Sequence, residues 1–205
     1  NSTELSKLGV LALPENYQIQ DQYKGIKFVR SPRQSFGQEQ LSLLKMFIDR
    51  MPAKLLVPGP SAIVTYKNGE IKQGTNFNTN TAAFASGTYI FFNDNSFKPE
   101  QPLADDSVDA AFNTFSHEMA HVAQFNTFSD SLTPKAIDSS YEAGLNWIDL
   151  ILTSDLTESF ASVAGWEKTI ENKELSFKLT EVTSAKTTTY GKTKIFEDMA
   201  ETVAG

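Results

Sequence analysis

The stretch His117-Glu118-Met119-Ala120-His121 constrains this chain more than any other, because it holds the only two histidines among 205 residues. It reads H-E-x-x-H. On a helix, residues i and i+4 lie one turn apart on the same face, so both imidazoles reach a single metal ion. A Zn²⁺ bound this way needs a third protein ligand and an open position for water. The intervening Glu118 stands where a general base for that water belongs. The flanks support a helix, with Val108, Phe112, Phe115, Met119 and Val122 recurring at helical spacing. At about 100° per residue, His117 and His121 fall opposite that stripe, beside Ala110, Thr114 and Gln124. The pattern predicts one face for a core and the other for a cleft. A surface helix with two accidentally solvated histidines is the plainer alternative, and the helical context disfavours it.

The rest of the composition narrows the setting. The length is the prior for one domain, and 40% hydrophobic residues with fifteen Phe supply a sizeable core. A formal charge of −7 argues against nucleic acid and anionic membrane surfaces. No apolar run approaches the roughly 20 residues of a membrane span. With no cysteine, neither disulfides nor a thiolate zinc site is available, which fits a secreted or periplasmic bacterial protein. The chain opens at Asn1 without a hydrophobic leader, as expected of a mature or trimmed form. Ala200 to Gly205 reads as mid-helix, which predicts further residues beyond it.

Taken in order, residues 1–24 are polar and weakly patterned, an N-terminal arm. Gly25–Arg30 reads as a strand ended by Ser31-Pro32. Ser35 with Gln38 predicts a capping box for a helix through Leu41, Leu44, Phe47, Ile48 and Met51, stopped by Pro52. Ser61–Lys67 is a strand, with Asn68-Gly69 as the turn of a hairpin into Glu70–Gln73. After an Asn- and Thr-rich loop, Thr88–Phe92 is an aromatic strand. From Asp106 the chain reads as helical: the motif helix to about Phe128, a second helix from about Ala136 to Leu152, and a short one capped by Asp155 and Glu158. That third helix is closed by Gly165. Residues 167–189 show no assignable pattern, and a last helix begins near Lys194. The sheet-rich half, 25–105, precedes the helical half, 106–205, in a single α+β domain.

Without cysteine or a third histidine, the remaining ligand must be a carboxylate. Gln124 and Thr127 exclude the longer histidine motif that would supply it from the next loop. Glu158 is one candidate, though a helix-capping role explains it fully. Glu197 is the other. Glu201 lies one turn further along the same face, where it would accept the free N–H of a ligating histidine.

Tyr190-Gly191-Lys192-Thr193, followed by Glu197-Asp198-Met199-Ala200-Glu201, resembles the signature of the lethal-factor-type gluzincins. That family includes the catalytic domain of anthrax lethal factor and the secreted Pro-Pro endopeptidases of clostridia. In it, H-E-x-x-H is followed by a tyrosine and, seven residues later, by the glutamate of an E-x-x-A-E helix. The resemblance covers the motif helix and the last 16 residues. It implies a zincin-like fold, with Glu197 as third zinc ligand, Glu201 behind it, and Tyr190 as a hydrogen-bond donor or acid. The long spacing from His121 to Glu197 implies an inserted helix around 156–165. Met199 stands where the family has an aromatic.

The expected function is zinc-dependent endopeptidase, one Zn²⁺ per chain, hydrolysing peptide bonds by metal-activated water with Glu118 as base. The expected partner is a protein or peptide substrate, bound as an added strand along Thr88–Phe92 if that strand is a sheet edge. The rival class is a non-catalytic zincin-like module that binds a protein or surface glycan. Intact Glu118 and a full ligand set count against it.

Overall fold

The computed structural model of the chain describes residues 2–67, 69–71, 82–93, 105–130, 132–171, 174–180 and 194–204. Two compact units form, residues 13–123 and residues 1–12 with 124–205. They share one continuous helix.

The first unit is built on a five-stranded mixed sheet. Its strands are β1 (Gln18–Tyr23), β2 (Ile26–Arg30), β3 (Ala62–Tyr66), β4 (Ala83–Ser86) and β5 (Tyr89–Asn93), in the order β1-β2-β3-β5-β4. β2, β3 and β5 are parallel, with Phe28 opposite Ile63 and Ile63 opposite Ile90. β1 and β4 close the two ends antiparallel. Helix α2 (Gln38–Arg50) backs the sheet, burying Leu41, Leu44, Phe47 and Ile48 against Phe28, Ile63, Ile90 and Phe92. Helix α3 (Asp105–Ser129) carries the H-E-x-x-H motif, and its stripe Val108, Phe112, Phe115, Met119 and Val122 joins this core.

The structure corrects several expectations. Residues 18–23 are a strand rather than part of an arm. Lys24 and Gly25 both take positive φ, +47° and +83°, and so form the tight turn that folds β1 onto β2. The polar side chains of β1 suit a terminal strand, so they give no alternating signal. α2 is N-capped by Gly37, whose N–H donates to the Gln40 side chain at 2.7 Å; the Ser35–Gln38 box is not used. Of the strand expected at 70–73, residues 70–71 are not strand, and 72–73 lie outside the described residues. Glu70 instead folds its carboxylate back to accept Ser31 Oγ at 2.6 Å and the Lys67 N–H at 2.8 Å. The aromatic strand expected at Thr88–Phe92 is β5, and it is not a sheet edge. It is laddered to β3 on one side and to β4 on the other, so no peptide can add along it. Among the described residues the sheet ends on β4, whose Phe84 stacks on its cross-strand partner Phe91 at 4.8 Å.

The second unit contains α1 (Ser2–Ser6), the C-terminal end of α3, α4 (Pro134–Glu142), α5 (Trp147–Leu152), α6 (Asp155–Ala164), a hairpin of β6 (Trp166–Glu171) and β7 (Glu174–Leu179), and α7 (Ile195–Ala204). The single helix expected over 136–152 is two. Gly144 takes φ +74°, and the Asn146 side chain caps α5 by accepting from the N–H groups of Ile148 and Asp149. Trp166 and residues 167–171 of the unassigned segment pair with residues 174–179 as the β6–β7 hairpin, and residues 172–173 and 181–189 lie outside the described residues. A helix stands where one was expected around 156–165, as α6, ended by Gly165 at φ +80°. Two apolar clusters hold this unit. Leu8, Val10, Phe125, Ile137, Trp147, Ile151 and Phe196 form one, and Ala161, Trp166, Ile195 and Met199 the other. A mixed sheet backed by a helix, then a helical region bearing H-E-x-x-H and a distal glutamate, is an α+β, zincin-like arrangement. No described helix is long and apolar enough to cross a membrane.

Candidate metal centre

The middle of α3 is buried on every face from Phe115 to Val122. The side expected to line a cleft is therefore enclosed: His117 is 8% exposed, Glu118 6% and His121 5%. A helix can bury an apolar stripe at no cost, but burying two imidazoles and a carboxylate needs partners that recover their lost hydration. The two rings supply part of the answer. They stand edge to face with centroids 4.6 Å apart, and their Nε2 atoms point at one another across 3.0 Å. Two nitrogens sharing one tetrahedral ion with bonds of about 2.0–2.1 Å lie about 3.3–3.4 Å apart. The pair is thus within a few tenths of an ångström of a bidentate grip.

The third group comes from α7. Phe196 packs edge-on against Trp147 at 5.7 Å, and Trp147 packs edge-on against Phe125 at 5.5 Å, one turn beyond His121 on α3. The buried Gln124 side chain donates to the Phe196 carbonyl at 3.3 Å. These contacts set where the first turn of α7 meets α3, and Glu197 is the next residue. Ligand atoms of His117, His121 and Glu197 all lie within 4.8 Å of one another, the one such group among the described residues. Two imidazoles and a carboxylate, with no thiolate, are a donor set that suits Zn²⁺.

The competing carboxylate is elsewhere. Glu158 is exposed on α6 and ion-paired with Lys168 of β6. The α6 N-cap is Ser154, so the expected Asp155–Glu158 cap is not formed. Glu201 is half-buried one turn after Glu197, on the face that spacing predicts. Tyr190 lies outside the described residues. Met199 is buried in the cluster with Ala161, Trp166 and Ile195 and receives the Thr157 hydroxyl at 3.8 Å.

Sequence reasoning passed over three residues that the structure makes important. Gln124 appeared only as a polar neighbour of the histidines, and its bond to the Phe196 carbonyl gave no local signal. Trp166 and Asp198 are joined by a buried hydrogen bond of 2.8 Å. The one hint was an acid set within the apolar run Ile195, Phe196, Met199 and Ala200. No protein-family model, curated protein or solved structure matches this chain.

Proposed function

We propose that the chain is a zinc-dependent endopeptidase of the gluzincin type, with His117, His121 and Glu197 as the metal ligands. The observation that carries this reading is the convergence of those three side chains around a buried H-E-x-x-H turn. Zinc in such a site supplies Lewis acidity to the scissile carbonyl and lowers the pKa of water. Glu118, fixed on α3 between the two ligands, takes the proton of the attacking water and returns it to the leaving amine. Glu201 orients a ligating histidine by accepting its second ring N–H. Tyr190 donates a hydrogen bond to the oxygen that becomes negative as the carbonyl is attacked. The substrate class is a peptide bond within a protein or peptide.

The test compares wild type and Glu118→Gln on a peptide library, with and without chelator. Wild type should cleave, chelator should stop it, and the variant should keep its zinc while losing ~10²–10⁴ in rate. Cleavage that survives either the chelator or the substitution would refute the mechanism. Bound zinc with no cleavage of any peptide would favour the non-catalytic module.

A further inference from the structure

Asp198 is the residue after Glu197 on α7, and it is 1% exposed. Its Oδ2 accepts the indole N–H of Trp166 at 2.8 Å, while its Oδ1 has no hydrogen-bond partner among the described residues. Trp166 is itself buried and opens β6, directly after the left-handed Gly165 that ends α6. A buried carboxylate with one donor is costly, and replacing it together with its indole partner by apolar side chains of similar shape can be nearly neutral for stability. Fold stability alone therefore does not account for it.

Orientation does. Among the α7 residues whose burial is described, the other buried ones, Ile195, Phe196, Met199 and Ala200, are all apolar. Such contacts are non-directional, so they resist separation of a helix from its neighbours better than rotation about its axis. The Gln124 bond to the Phe196 carbonyl acts on the backbone close to that axis, where it has little leverage on rotation. A glutamate carboxylate lies about 6–7 Å from that axis, so a turn of about 15° carries it about 1.7 Å. Metal ligation tolerates about 0.2 Å. A charge-assisted hydrogen bond is directional. Because Asp198 and Glu197 are rigidly about 100° apart on one helix, fixing one fixes the other.

We infer that Trp166 and Asp198 are positioning residues for Glu197, setting the rotation of α7 through the indole–carboxylate bond. This rests on the metal-site reading above. It assigns the β6–β7 hairpin a part in the centre that neither the H-E-x-x-H motif nor the tyrosine–glutamate spacing contains.

The experiment titrates Co²⁺ into the metal-free full chain, following visible absorption, and measures metal-free thermal stability in parallel. Trp166→Phe keeps the ring and removes the N–H; Asp198→Leu removes the acceptor. Both should bind Co²⁺ ~10–100-fold more weakly than wild type, with an altered ligand-field spectrum. Asp198→Asn, which keeps an oxygen for the indole, should lose less than Asp198→Leu. Because Trp166→Phe strands a buried carboxylate and risks unfolding, the double variant Trp166→Phe/Asp198→Leu is included. Replacing both partners by apolar groups restores stability without restoring direction, and it should still bind weakly. Wild-type affinity in a folded Trp166→Phe or in the double variant would overturn the inference, since the remaining contacts of α7 would then suffice to orient Glu197. Failure of wild type to bind Co²⁺ would instead defeat the metal site itself.

Discussion

Replacing Glu197 and Glu158 separately by alanine puts the centre to its sharpest thermodynamic test. Both are helical glutamates with a plausible claim from spacing, but their surroundings differ. Glu158 is exposed and paired only with Lys168, so its loss should cost no more than ~0–1 kcal/mol of stability and leave metal binding intact. Glu197 offers a carboxylate oxygen within 4.8 Å of ligand atoms of His117 and His121. Losing a ligand should exceed the ~10–100-fold cost of losing an outer partner, so zinc affinity should fall by at least ~100-fold. At a free zinc concentration 100 times the wild-type Kd, binding stabilises the fold by about 2.7 kcal/mol. A variant 100-fold weaker sits at its own Kd and gains only about 0.4 kcal/mol. For a chain of this size 1 kcal/mol moves Tm by about 2–4 °C. Thermal scans with and without zinc should therefore show a shift of about 5–11 °C for wild type and Glu158→Ala, and about 1–2 °C for Glu197→Ala. The reverse ranking, with Glu197→Ala keeping the full shift, would remove Glu197 from the ligand set and Tyr190 with it.

Two further expectations concern the framework around the site. Burial, and then the nearby charge of Glu70, push the Tyr17 phenol up to about 12. Since that lies above the unfolded value near 10, its contribution to stability is complete below pH 10 and lost as the pH rises through 12. Tyr17→Phe should remove one phenol from the ultraviolet titration near pH 12, and an unchanged curve there would disprove the assignment. Gly165 ends α6 at φ +80°, so Gly165→Ala should cost about 1–2 kcal/mol by denaturant unfolding; an unshifted midpoint would show that the turn relaxes.

The sequence by itself determined whatever depends on neighbours a few residues apart. His117 and His121 share a face because a helix repeats every 3.6 residues, and the stripe from Val108 to Val122 declared which side meets the core. Ile26–Arg30, Ala62–Tyr66 and the helix ending at Gly165 were legible for the same reason: each carries its own period and its own stop signal. The tertiary structure alone decided what lies far along the chain. Spacing left Glu158 and Glu197 both open. The choice comes from Phe125, Trp147 and Phe196 packing together and from Gln124 reaching the Phe196 carbonyl, contacts with no local periodicity. Strand order is of the same kind. An aromatic run such as Tyr89–Asn93 reads alike at the edge and in the interior, and only the ladders to β3 and β4 place it inside. The bond from Trp166 to Asp198 is the extreme case, because a hydrogen bond between side chains 32 residues apart leaves no pattern in either segment.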